Sequence, residues 1–182
     1  DQNRTYQQKM EKELQTAHEM QMGLMPKAHP VLEGFDIAGR CLPAEQVGGD
    51  FFQYFSLPGG GLALSLADVT GHAMAAAIPV VLFSGMLEVQ MERGGTLEEL
   101  FARLNRSVHR LLDSHTFVCF AMAELDPEKR SLRLSNGGLP PPYHFRAATG
   151  EVVELRGEEV YPLGIRPDTN YQPLEVKLEP GD

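Results

Sequence analysis

Val47-Gly48-Gly49-Asp50-Phe51-Phe52 and, further on, Asp68-Val69-Thr70-Gly71-His72 decide how this 182-residue chain folds. Each aspartate stands where a strand-like run meets glycine. Between them lie an apolar run at 51–57, the turn Pro58-Gly59-Gly60-Gly61 and a second run at 62–67, the pattern of a β-hairpin. Folding the runs back antiparallel brings Asp50, at the start of the first, near Asp68, at the end of the second. A hard divalent cation needs anionic oxygen and main chain that can yield a carbonyl or make room for water. Two converging carboxylates therefore predict a site for a pair of Mg²⁺ or Mn²⁺ ions. The competing reading is that each aspartate merely caps a turn, and the residues alone leave both open.

Outward from the hairpin, residues 35–44 read as a strand, so three strands are expected before the first core helix. Residues 72–92 are rich in Ala, Met, Leu and Val and predict a buried helix, with Pro79 inside it to bend or restart it. Thr96-Leu97-Glu98-Glu99 has capping-box spacing and opens a second helix through Leu112. Leu97, Leu100, Phe101, Leu104, Val108 and Leu111 share one of its faces. Runs at 116–125, 131–135, 142–146 and 152–155, with one more candidate at 174–178, read as a meander of antiparallel strands. Strands, two helices, then strands again predict an α+β fold: an antiparallel two-sheet β-sandwich flanked by helices. Residues 2–25 hold no proline, and Gln7, Met10, Leu14, Ala17, Gln21 and Leu24 form a heptad-like seam ending near Gly23 and Pro26. That helix either packs on its own domain or pairs with a second copy.

These segments together resemble the serine/threonine phosphatases of the stage II sporulation protein E and sigma-factor-regulator (SpoIIE/RsbU) type, within the metal-dependent type 2C (PPM) superfamily. The resemblance starts at Gly23-Leu24-Met25-Pro26 and runs through Pro43-Ala44-Glu45-Gln46-Val47-Gly48-Gly49-Asp50 and Ala67-Asp68-Val69-Thr70-Gly71-His72. It continues in Thr116-Phe117-Val118, Leu125-Asp126-Pro127, Ser135-Asn136-Gly137-Gly138-Leu139-Pro140-Pro141-Pro142 and Pro162-Leu163-Gly164-Ile165. It implies an αββα fold over residues 26–182 and a linker helix over 1–25. It implies hydrolysis of phosphoserine or phosphothreonine on a partner protein by a water held between two divalent ions, Mn²⁺ or Mg²⁺. Carried over, Asp50 bridges the metals, and Asp68 with the Val69 carbonyl completes one site. Gly49, Gly71, His72 and Asn136 are candidates for supporting it, although a histidine at a helix start is more often a cap or a packing residue and Asn136 equally suits a turn. The resemblance further implies a small phosphorylated anti-sigma-factor antagonist as substrate, an upstream sensor or receiver domain, and a homodimer through the first helix.

The chain also departs from the family pattern. It reads Gly71-His72-Ala73 where a second glycine is usual, and Asn136-Gly137-Gly138-Leu139 where the family has Asn-Ala-Gly-His. It stops at Glu179-Pro180-Gly181-Asp182, where family members go on to a further Asp-Gly metal segment and a last acidic ligand. Half of the family's ligands are therefore expected here. The alternative that follows is a catalytically impaired module of the same fold that binds a regulatory partner and dimerises.

Composition narrows the classes. With 25 acidic against 16 basic residues the net charge is −9, which repels nucleic acid and anionic membrane. No signal peptide or membrane-spanning run is evident in the sequence. Cys41 and Cys119 lie in apolar runs and read as reduced thiols of a cytoplasmic protein. Asp68-Val69-Thr70-Gly71 fits the loose Asp-x-x-Gly of GTPases, but no phosphate-cradling Gly-x-x-x-x-Gly-Lys-Ser/Thr accompanies it. No Gly-x-Ser-x-Gly elbow and no zinc-ligand spacing of histidines is found either.

Overall fold

The computed structural model describes residues 2–71 and 74–182, and His72 lies outside them. Helix α1 (Gln2–Met22) leads, after an extended segment, into β1 (Asp50–Ser56), a short 3-10 turn at Pro58–Gly60 and β2 (Leu62–Val69). Helices α2 (Met74–Arg93) and α3 (Leu97–Leu111) follow. Then come β3 (Val118–Asp126), β4 (Ser131–Gly137), the hairpin β5 (Tyr143–Arg146) with β6 (Glu151–Glu154), and β7 (Leu174–Lys177). The strands form one five-stranded sheet in the order β1-β2-β3-β4-β7 and a two-stranded sheet β5-β6. All pairings are antiparallel. The α+β class expected from the sequence is the class observed.

Period-two alternation assigns the faces of the five-stranded sheet. Phe51, Ala63, Ala67, Val69, Val118, Phe120 and Met122 are buried on one face. There Phe83 of α2 meets Phe51 and Phe120 edge-on, with ring centroids 5.9 and 5.3 Å apart, and Phe101 of α3 lies 5.1 Å from Phe120. Truncating Phe83 to alanine would cost about 3–5 kcal/mol. Leu66 and Asp68 stand on the opposite face, both exposed.

Three sequence expectations change. Residues 35–44 form no strand; apart from an isolated bridge between Leu32 and Phe35 the segment is extended without a ladder partner. Side chains hold it instead, since a β-carbon on Gly39 would come within 2.4 Å of the Tyr54 hydroxyl and 2.6 Å of the Phe52 ring. Two strands, not three, thus precede the core helices. Pro79 sits within a continuous α2. The carbonyl it leaves without an i+4 donor belongs to Ala75, which is exposed, so water can serve it. Leu111 is 54% exposed, whereas the rest of the named α3 face is buried together with Asn105. The capping box at Thr96 and Glu99 is present in both directions.

Helix α2 is apolar nearly all round. Ala76, Val80, Phe83 and Leu87 are buried in the core, and Ile78, Val81 and Val89 are exposed on other sides. By length and composition it would also suit a membrane span, a property it shares with core helices of globular proteins.

Candidate metal centre

Asp50 is the first residue of β1 and Asp68 the last but one of β2, and the hairpin register makes them direct partners. The turn at Pro58-Gly59-Gly60-Gly61 sets that register, so the local sequence places both carboxylates at one end of the sheet. They touch electrostatically. Partial burial, the charge of Asp50 and a hydrogen bond to Asp50 together raise the Asp68 carboxyl above the ordinary aspartate range. Like charges at such range favour one shared proton or a cation in its place.

The backbone around the pair is close-set. The Val69 N–H donates to the Gly49 carbonyl at 2.8 Å. A β-carbon on Gly49 would lie 2.2 Å from the Val69 oxygen, so only glycine fits against that carbonyl, and Val69 itself is fully buried. Thr70 is anchored to β3: its N–H and hydroxyl both donate to the Phe117 carbonyl, at 3.0 and 2.5 Å, and its hydroxyl accepts from the Phe117 N–H at 2.6 Å. Gly71 then turns the chain with φ of +107°, a conformation that favours glycine.

Cys41 and Cys119 flank the carboxylates. Cys119 is the register partner of Asp68, and the Cys41 thiol reaches the Asp50 carbonyl at 3.9 Å. Burial raises both thiol pKa values, and the charge of Asp50 (for Cys41) or Asp68 (for Cys119) adds to it. Both are free thiols, as the sequence reading has it.

Asp50, Asp68, Gly49 and Val69 are thus brought together. Asn136 pairs with Ala121, whereas Asp68 pairs with Cys119, and the Asn136 carboxamide is spent on its turn. It donates to the Leu139 carbonyl at 2.8 Å and accepts from the Leu139 N–H at 2.9 Å. Gln21 was not among the candidates, yet it is buried and hydrogen-bonded to Gly48. A glutamine among the apolar residues of the seam, close to the helix end, was the available signal.

The donor set is hard oxygen, and two facing carboxylates fit a divalent cation as part of a coordination shell. No third His, Cys, Asp or Glu joins the pair among the described residues. A cleft of about 510 Å³ between the β1–β2 turn and the α2–α3 loop lies at the other end of the sheet, away from the carboxylates.

An antiparallel sheet with two helices packed on one face is a fold this chain shares with solved PP2C domains. The SiaA-PP2C domain of Pseudomonas aeruginosa superposes with a TM-score of 0.76 at 20% identity, over 97% of this chain and 70% of that one. Over residues 58–182 the sequence matches the stage II sporulation protein E (SpoIIE) family, and the chain belongs to that family. It is 25% identical over 179 residues to phosphoserine phosphatase RsbU of Bacillus subtilis (strain 168). That match covers 98% of this chain and 53% of RsbU, so the chain spans about half the length of this relative. RsbX, solved in complex with magnesium, superposes with a TM-score of 0.57 at 15% identity, over 75% of this chain and 63% of that one.

Proposed function

We propose that this chain is the phosphatase domain of a cytoplasmic signalling regulator, removing phosphate from serine or threonine of a partner protein such as an anti-sigma-factor antagonist. The observation that carries the reading is the Asp50–Asp68 pair in a SpoIIE-family chain. Asp50, Asp68 and the Val69 carbonyl are the donors for two Mn²⁺ or Mg²⁺ ions. When bound, such ions supply a water of lowered pKa and neutralise phosphate charge. The chain's own part is to hold the carboxylates in register, to seat Gly49 against Val69, and to fix the following turn through Thr70 and Gly71. Residues 1–25 link the domain, 26–182, to an upstream sensor or receiver and pair with a second copy. Tyr6 and Met10, 67% and 42% exposed on α1, are available for that contact.

One observation favours the second reading, a module that binds a regulatory partner without catalysis: the absence of a third metal-binding side chain at the pair among the described residues. The two are separated by Mn²⁺-dependent release of phosphate from an aryl phosphate and from a phosphoserine protein. The assays use this chain and a longer piece of its parent protein, with Asp50→Asn in each. Activity abolished by the substitution supports the phosphatase. No activity in either, with no Mn²⁺ uptake by calorimetry, supports the binding module.

A further inference from the structure

The end of α1 is fastened to the segment that delivers Asp50. Gln21 is 4% exposed, in a helix whose first half stands in solvent. Its Nε2 donates to the Gly48 carbonyl at 2.6 Å, and its Oε1 accepts from the Gly48 N–H at 2.8 Å. One side-chain amide thus satisfies both backbone groups of one residue, as a neighbouring strand would. His18 Nδ1 bonds the Gln46 carbonyl, and Gln53 donates to the Leu24 carbonyl. Residues 44–49 belong to no ladder, and Gly48-Gly49 is the most entropically costly pair of residues to fix. Downstream, the Gly49 carbonyl takes the Val69 N–H, and Asp50 faces Asp68. One residue, Gly49, separates the clamp from the acid pair.

Docking the helix does not require this amide. Met25 is buried and Met22 and Leu24 are partly buried against the core, so apolar contacts already hold the helix end. A buried carboxamide with both functions satisfied is retained at a desolvation cost, which calls for a positional role.

We propose that Gln21 is a positioning residue for the metal centre: by clamping Gly48 it orders Gly48-Gly49 and so presets Asp50 and the Val69 carbonyl for a divalent cation. The inference rests on the phosphatase reading.

The test uses the full chain with Gln21→Met, which keeps side-chain length and packing but removes both hydrogen bonds, and Met25→Ala, which loosens the helix without touching Gly48. Calorimetric Mn²⁺ affinity and amide hydrogen exchange of the metal-free chain are read for each. Gln21→Met is expected to weaken Mn²⁺ binding about 10-fold, within the range found for groups that orient metal ligands. It should also speed exchange at Gly48, Gly49 and Val69. Met25→Ala should lower the melting temperature yet leave Mn²⁺ affinity within about twofold, as a site independent of the clamp would. Unchanged affinity and exchange in Gln21→Met overturn the proposal, as does an equal loss of affinity in Met25→Ala. Should neither the unsubstituted chain nor the longer piece bind Mn²⁺, the phosphatase reading fails. Exchange then decides the clamp by itself: faster exchange at Gly48 and Gly49 in Gln21→Met supports it, and unchanged exchange overturns it.

Discussion

The five-stranded sheet carries carboxylates at both ends and holds them in opposite ways. At the β1–β2 turn end, Glu98 Oε1 accepts from the Arg133 guanidinium at 2.8 Å, Glu175 lies 3.6 Å from the same group, and Glu124 is the register partner of Arg133. Burial works against the Glu98 charge, but its own backbone amide and Arg133 outweigh it and lower its pKa. Glu124 is raised by burial and by Glu98, with Arg133 opposing. At the other end Asp50 and Asp68 have no ion-pair partner among the described residues. Where acids belong to the architecture, the fold supplies a fixed cation. Where it leaves two facing each other, the cation must come from outside, and that separates a site from a scaffold.

Substitutions at the two ends should therefore behave as mirror images. Asp68→Asn is expected to cut Mn²⁺-dependent hydrolysis by more than the roughly 10–100-fold that disturbing a ligand's surroundings costs. The metal-free melting temperature should hold or rise, because a repulsion is removed. A lower melting temperature with hydrolysis intact would make Asp68 structural and dissolve the contrast. Gly49→Ala comes next: its β-carbon meets backbone, not a movable side chain, so the hairpin end must part. Weaker Mn²⁺ binding by calorimetry together with a lower melting temperature is the expected pair of results. Arg133→Met should do the reverse of Asp68→Asn, sparing hydrolysis while lowering stability by about 1 kcal/mol, the low end for a partly exposed pair. That corresponds to roughly 2–4 °C in a domain of this size. Loss of hydrolysis without loss of stability would show that the far end also serves the chemistry.

The hairpin, its register and the capping box were legible because each is written in residues adjacent in sequence. Asp50 opposite Asp68 follows from run lengths and a glycine-rich turn, with no long-range information needed. Residues 35–44 misread for the converse reason. Their composition suits a strand, but a strand exists only where another offers its backbone, and the partner is not encoded within the segment. Asn105 escaped notice because its role is distant: its side chain donates to the Arg166 carbonyl at 2.7 Å and accepts from the Gly164 N–H at 2.8 Å, pinning a loop to α3. Gln21 was seen on the seam of its helix, but nothing within the helix names the backbone of Gly48 as its partner.

The smallest effect concerns another carboxylate, Asp182, and it sharpens the contrast by sign. Asp182 accepts from the N–H groups of Glu179 and Ala147 and from His144 Nε2 at 2.8 Å, and these bonds bring its pKa down to about 2 from 3.8. The folded chain therefore binds fewer protons than the unfolded chain between those values. The stability that Asp182 contributes is complete above about pH 4 and is lost as pH falls through about 2. Asp68, with a raised pKa, acts the other way: without metal, its protonation on acidification through that raised value stabilises the fold, and the gain ends near 3.8. Melting temperatures of the metal-free chain across this acidic range should thus fall less steeply in Asp182→Asn than in the unsubstituted chain. Asp68→Asn should lose the initial gain. Parallel curves for all three would mean that neither carboxylate is coupled to folding, and would leave the acid pair without its claimed repulsion.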